Sequence, residues 1–400
     1  MTQYIIIGNG VAANTAAESI RKNDEEGTIK IFTKEAVPYY YRPALPEYLS
    51  GEKELDNLIL HDLNWYEKNN IELFLSTEIL SINSDKKEIS ANDSTTHSYD
   101  KLLIATGGYS FIPPIKGADN ENVYSLRDLK DADTIKDKAK TSKSMVLIGG
   151  GLLGLEAGND IRKTGIKIKV VEFFPRLLPR QMDTTGADML RKVMEDMGFN
   201  FYLGAKTNEI KGQESHLSVN LESSEKIRAD LVIISAGVRP EMKLAKDLGL
   251  KTNLGVKVND QMETGITDIY AAGDLIEHNG RFYGIWPAAM EQGKIAGLNM
   301  SGQKAAYSGT VLSNTLKVVG IDLTAAGEID AEDKYESIVF MNTDKNIYRK
   351  LVVKDNIIIG AILFGDITGN SEILKAINNK TDISAYKDEL YKLNFNFSKL

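Results

Sequence analysis

Tyr4-Ile5-Ile6-Ile7-Gly8-Asn9-Gly10-Val11-Ala12-Ala13 opens the chain, and Met145-Val146-Leu147-Ile148-Gly149-Gly150-Gly151-Leu152-Leu153-Gly154 repeats its plan 149 − 8 = 141 residues later. Each stretch reads as a short buried strand, a glycine turn and the start of a helix. Such a turn aims free backbone N–H groups and the positive end of the helix at one point, which suits a pyrophosphate. Gly8, Gly10, Ala12 and Ala13 form the first cradle, and Gly149, Gly151 and Gly154 form the second. Alanine at the third glycine position of the first cradle still lets the helix pack closely on the strand. Two cradles, each on its own strand, imply two dinucleotides in one chain. The usual reason to hold two is to pass electrons between them.

Carboxylates at the following strand ends refine this. Lys167 to Glu172 reads as the second strand of the second unit, with Glu172 placed 172 − 149 = 23 residues after the first glycine. A carboxylate there accepts hydrogen bonds from a ribose 2′-OH and repels a 2′-phosphate, which favours NADH over NADPH, although Arg176 lies nearby. In the first unit Ile29 to Phe32 is the second strand, and Glu35, the first carboxylate after it, is assigned to a ribose hydroxyl. Three more buried strands end in glycine: Tyr99 to Gly108 (with Ala105-Thr106-Gly107), Ala229 to Gly237, and Ile269 to Asp274. Asp274, after Ala272-Gly273, suits a polyol chain such as a ribityl group. Trp286-Pro287 starts a helix running to Met300, with proline at the first helical position. Aimed at a flavin, that N-terminus would stabilise negative charge on the reduced ring.

Elsewhere the pattern sets the organisation. Pro38 to Pro46 reads as a loop, Ile71 to Ile82 and its continuation as antiparallel strands, and Arg127 to Lys143 as a solvated helix. Pro113-Pro114 and Gly117 punctuate a crossing between domains. Beyond Tyr307 short strands dominate (Ile338 to Met341, Tyr348 to Val353, Ile357 to Leu363) before a helical end, which suggests a small α+β domain. The fold class expected is therefore α/β: two Rossmann-like dinucleotide-binding domains plus a small α+β C-terminal domain.

Composition excludes much else. A net charge of −8 argues against a nucleic-acid partner. No apolar run is long enough to span a bilayer and no signal peptide is apparent, so the expectation is a cytoplasmic protein without a membrane partner. Cysteine is absent, which removes any thiolate nucleophile, redox disulfide, iron–sulfur cluster or cysteine zinc site from these 400 residues. His61, His97, His216 and His278 are scattered without metal-ligand spacing, and no metal site is expected. Redox chemistry in such a chain needs a borrowed cofactor.

Gly8 to Ala13, Ala105-Thr106-Gly107, Gly149 to Glu156, Ala236-Gly237-Val238-Arg239-Pro240 and Tyr270 to Asp274 occur as a set running nearly end to end. With them the chain resembles the FAD-dependent pyridine-nucleotide oxidoreductases of the glutathione-reductase-like superfamily. The resemblance implies FAD on the first unit, NADH on the second, and chain crossings near Gly107 and Gly237. The FAD domain would then be discontinuous, spanning 1–110 and 238–306, with an NADH domain at 111–237 and the C-terminal domain at 307–400. Tyr40-Tyr41-Arg42-Pro43-Ala44-Leu45 resembles the loop that packs on the isoalloxazine in rubredoxin, ferredoxin and nitrite reductases of this type. It implies that Arg42 and Pro43 line the flavin, and that Glu156 lies near the nicotinamide–flavin contact.

Branches that use redox cysteines are excluded by their absence. Many ferredoxin reductases carry a lysine where this chain has Glu47, and a tryptophan-rich stretch where it has Val311-Leu312-Ser313-Asn314. Leu316-Lys317-Val318-Val319-Gly320, Tyr348 to Val353 and Gly360 to Asp366 resemble instead the NADH:rubredoxin reductases and the flavin portion of NADH nitrite reductases. The activity this implies is electron transfer from NADH through flavin to a small one-electron carrier such as rubredoxin, by a monomer or weak dimer. A hydrogen-peroxide-forming NADH oxidase or diaphorase, and a redox-sensing flavoprotein that regulates a partner, are the alternatives.

Overall fold

A computed structural model describes residues 1–310, 313–392 and 394–400. Val311 and Leu312, part of the stretch compared above with a tryptophan-rich segment, lie outside the described residues. The chain folds as two compact units: Met1–Arg42, Glu54–Tyr109 and Val238–Thr310 form one, and Pro43–Lys53, Ser110–Gly237 and Val311–Leu400 the other.

The first unit is built on a five-stranded parallel sheet in the order Ile269–Ala271, Lys101–Ile104, Gln3–Ile7, Thr28–Phe32, Ile71–Phe74. Gln3–Ile7 is central, and its Tyr4, Ile5, Ile6 and Ile7 are all buried, as an apolar run between two parallel neighbours should be. The helix Val11–Asn23 follows the glycine turn and packs against Trp286–Met300. That packing is close because the interface is small: a Cβ added to Gly293 would lie 2.2 Å from the Ala12 carbonyl oxygen. Ala13, Ala16 and Ala17 are fully buried on the facing helix.

The structure departs from the sequence expectation at two places. Ile71–Phe74 pairs parallel with Thr28–Phe32 and closes the sheet, where Phe74 stacks on Phe32 at 4.5 Å. Only Ile79–Asn83, Glu88–Ala91 and Thr96–Ser98 form the antiparallel meander. The stretch read as a loop from Pro38 to Pro46 contains a 3-10 turn, Arg42–Ala44, and the start of a helix, Leu45–Ser50. Pro46 sits in the first turn of that helix, where its missing N–H costs nothing.

The second unit repeats the plan. Its parallel sheet runs Asn200–Leu203, Lys167–Glu172, Ser144–Ile148, Leu231–Ile234, Val123–Tyr124, with Thr207–Gly212, Leu217–Leu221 and Lys226–Ala229 as the meander. The solvated helix is Leu129–Ala139, which buries only Leu129, Ala132 and Ile135. Helix Leu45–Ser50 packs on Leu152–Lys163, and Glu52 reaches Lys163. Residues from Ser313 onward form a five-stranded antiparallel sheet carrying the helix Asn370–Asn379, the α+β region expected from sequence.

Candidate functional site

In the first unit Gly8 has φ +111°, and a Cβ there would stand 2.1 Å from the Ala105 carbonyl oxygen. Only glycine allows the turn and lets the two strand ends meet. Gly10 caps the helix Val11–Asn23 with no side-chain cap and no acid in the first turn, so the first-turn amides lack intrahelical partners. A Cβ on Gly10 would meet nothing within 4 Å. Open space over uncapped amides is what a pyrophosphate requires, so the residues present fit a dinucleotide.

Side chains brace this loop. Asn14 Nδ2 donates to the Asn9 and Gly10 carbonyls, both at 3.1 Å, and the Tyr66 hydroxyl donates to Asn14 Oδ1 at 2.7 Å. Ala12 lies beside Gly273, whose N–H donates to Gln292 Oε1 at 2.9 Å. The structure thus brings together Gly8, Gly10, Ala12, Ala13, Ala105 and Gly273, with half-buried Asp274 following. Thr106 and Gly107 are held by Glu241, the Thr106 hydroxyl donating to its carbonyl at 3.0 Å and its N–H donating to the Gly107 carbonyl at 2.9 Å.

Glu35 and Arg42 meet each other. Arg42 Nη2 lies 2.6 Å from Glu35 Oε1, the Tyr40 hydroxyl donates to Glu35 Oε2 at 2.8 Å, and the Arg42 guanidinium lies over the Tyr40 ring. Both Glu35 oxygens therefore already have donors, and a ribose hydroxyl would have to use their remaining lone pairs. Trp286 opens its helix with Pro287 in the first turn. It stacks on Tyr39 at 6.0 Å and meets Tyr41 edge-on at 5.0 Å.

The second unit mirrors the first. Gly149 has φ +112°, with the Ser235 carbonyl oxygen 2.2 Å from an added Cβ, and uncapped Gly151 again faces open space. Gly154 packs on the Ser235 side chain. Glu172 is buried, and its carboxylate accepts from the Gly150 N–H and, at 2.7 Å, from the Phe174 N–H. It fixes the glycine loop as well as ending the strand. Arg176 is turned onto its own loop, Nε and Nη2 each donating at 3.1 Å to the carbonyls of Met182 and Pro179. Gly237 accepts from the Phe111 N–H at 2.8 Å, and Pro43 lies in the turn before Leu45–Ser50.

Glu156, on Leu152–Lys163, accepts from the Val319 N–H at 2.8 Å. Burial pushes its carboxyl up to about 7, and the nearby Asp160 and Glu47 carboxylates add to the shift, against the Val319 N–H and Lys163. Lys163 pairs with Asp160 at 2.7 Å and with Glu52 instead. Among the described residues no group of three or more His, Asp or Glu is placed to hold a metal, and no helix is long and apolar enough to cross a membrane.

Residues 2–293 match the pyridine nucleotide-disulphide oxidoreductase family. The chain belongs to that family. Residues 313–381 match the rubredoxin NAD+ reductase C-terminal domain. The chain is 33% identical over 379 residues to an NADH-rubredoxin oxidoreductase of Clostridium acetobutylicum, covering 94% of this chain and 95% of that one. It is 36% identical over 384 residues to a nitrite reductase [NAD(P)H] of Bacillus subtilis (strain 168), covering 96% of this chain and 48% of that one. It spans about half the length of the nitrite reductase and nitrate-reductase electron-transfer relatives it matches. The crystal structure of the C. acetobutylicum NADH:rubredoxin oxidoreductase superposes with a TM-score of 0.82 at 31% identity, covering 96% of each chain. The putidaredoxin reductase of a covalent putidaredoxin complex has the same fold, with a TM-score of 0.90 at 22% identity over 100% of this chain and 97% of that one.

Proposed function

We propose that the chain is a FAD-dependent NADH oxidoreductase that passes electrons from NADH through the flavin to a small one-electron carrier protein, rubredoxin or a close analogue. The observation that carries this reading is the duplicated cradle, Gly8 against Ala105 and Gly149 against Ser235, in a chain without a single cysteine. Bound FAD would supply the chemistry, taking a hydride from NADH and releasing its electrons one at a time.

The protein's own work is binding and tuning. In this reading the FAD domain is 1–110 with 238–306, the NADH domain 111–237 and the C-terminal α+β domain 307–400. Gly8, Gly10, Ala12, Ala13, Glu35, Ala105, Thr106, Gly107, Gly273, Asp274 and Trp286 hold FAD, Gly149, Gly151, Gly154 and Glu172 hold NADH, and Gly237, at the chain crossing, is a further cofactor-binding residue. Arg42 and Pro43 line the flavin. Arg42 would reach it only from within its pair with Glu35, which fixes the guanidinium and softens its charge. Glu156 lies near the nicotinamide–flavin contact. With its carboxyl near 7, both protonation states are populated at neutral pH, so it can donate to or accept from a carboxamide. The chain acts in the cytoplasm as a monomer or weak dimer, and its carrier binds in trans.

Mixing the NADH-reduced holoenzyme with oxidised rubredoxin tests the reading. Rapid bleaching of the carrier, faster than reoxidation by oxygen, is expected. Equal oxygen consumption with and without carrier would replace it with an NADH oxidase.

A further inference from the structure

The segment from Phe173 to Asp183 links the strand ending in Glu172 to the helix Thr184–Asp196. It is tied at both ends. At the glycine loop the Leu178 N–H donates to the Gly150 carbonyl at 3.1 Å, and Leu177 Cδ2 lies 2.9 Å from where a Gly150 Cβ would stand. Leu177 and Leu178 are fully buried, and Leu178 holds a left-handed φ of +46°, a conformation that persists only where the surroundings impose it. Arg176 then staples the middle of the loop through the Pro179 and Met182 carbonyls.

The far end is Asp183. Its Oδ1 accepts from the Gly186 N–H at 2.9 Å and so caps the helix. Its Oδ2 leaves the loop altogether: the Tyr348 hydroxyl donates to it at 2.6 Å, and Lys350 Nζ lies 3.2 Å away. Tyr348 and Lys350, two positions apart, share one face of the strand Ile347–Lys354 of the C-terminal sheet, and both are buried. Lys350 spends its other two donors on the Asp330 carbonyl at 2.8 Å and on Asp333 Oδ1 at 3.3 Å. Gly186 leaves room for the Tyr348 ring, which would stand 3.3 Å from a Cβ there. A buried ammonium with every donor matched costs more to assemble than an apolar contact of the same size. Simple adhesion of the C-terminal sheet would not need it, whereas fixing one loop geometry would.

From these contacts we infer that Tyr348 and Lys350 are positioning residues for the nicotinamide-nucleotide cradle: acting through Asp183, they fix the segment 173–183 and hence the places of Gly150 and Glu172. The C-terminal domain thereby sets affinity for NADH. This rests on the assignment of the second cradle to NADH.

The test uses the FAD-loaded full chain with ferricyanide as acceptor. Tyr348→Phe removes one donor without changing shape, and Asp183→Asn keeps the helix cap while removing the charge. Each is expected to raise KM for NADH about tenfold, the scale of one lost charge-assisted hydrogen bond partly transmitted, with kcat and flavin content unchanged. A structural role alone would lower kcat and flavin content together and leave no separate change in KM, and that result overturns the inference. Gly149→Ala is the control, expected to abolish reduction by NADH. If it does and both variants keep the normal KM, the inference alone fails. If Gly149→Ala is reduced normally by NADH, the assignment of the cradle fails and the inference falls with it.

Discussion

Replacing Glu156 by glutamine removes a titrating group from beneath the turn at Val319 while keeping an oxygen to accept the Val319 N–H. Burial raises this carboxyl from 4.5 to about 7. Below about pH 4.5 the folded and unfolded chains both carry the proton, and the group's contribution to stability is fully present. Between about 4.5 and 7 the folded chain keeps a proton that the unfolded chain has released, so stability falls as pH rises. At about 1.4 kcal/mol per unit, the whole shift amounts to roughly 3 kcal/mol, and partial access of water brings it nearer 2. Denaturant unfolding of wild type and Glu156→Gln, followed from about pH 5 to about pH 8, should show the variant gaining on wild type by that amount. Other carboxyls common to both proteins cancel in the difference. Parallel curves would refute the reasoning, because they would mean that Glu156 is already ionised in the fold, with Lys163 turned to it rather than to Asp160 and Glu52.

Two further substitutions probe the cradles. Gly293→Ala places a methyl where the Ala12 carbonyl oxygen already lies, 2.2 Å away, so Trp286–Met300 must lift off Val11–Asn23. A loss of about 1–3 kcal/mol is expected, read as flavin released at lower temperature in a thermal melt. Glu172→Gln leaves one buried backbone N–H of Gly150 or Phe174 facing an amide that cannot accept it. KM for NADH should rise at least about tenfold, and an unchanged KM would show that the loop holds without the carboxylate.

Both cradles were legible because backbone geometry dictates them. Gly8 must pass the Ala105 carbonyl and Gly149 the Ser235 carbonyl, and no other residue type allows it. The central strands were equally plain, since parallel strands covered on both faces leave uninterrupted apolar runs. Parallel and antiparallel partners give the same alternation, so only the register with Thr28–Phe32 shows Ile71–Phe74 to be a parallel strand. Pro43 and Pro46 resemble loop breakers in sequence, yet proline is equally at home in a first helical turn. The polar couplings were the least visible. Nothing local announces that Glu35 is taken by Arg42 and Tyr40, or that Gln292 serves Gly273. The Tyr348–Asp183 bond joins residues 165 positions apart, with only an unremarkable Tyr-Arg-Lys on one side and a helix-capping aspartate on the other.

The central claim is that this polypeptide seats a flavin and a nicotinamide and adds no redox group of its own. Anaerobic titration of the FAD-loaded chain with NADH, followed by flavin absorbance, tests it most directly. Complete bleaching at about one NADH per flavin is expected, because the cofactor alone stores the electrons. Uptake of a second equivalent, or a flavin that NADH leaves oxidised, would contradict it.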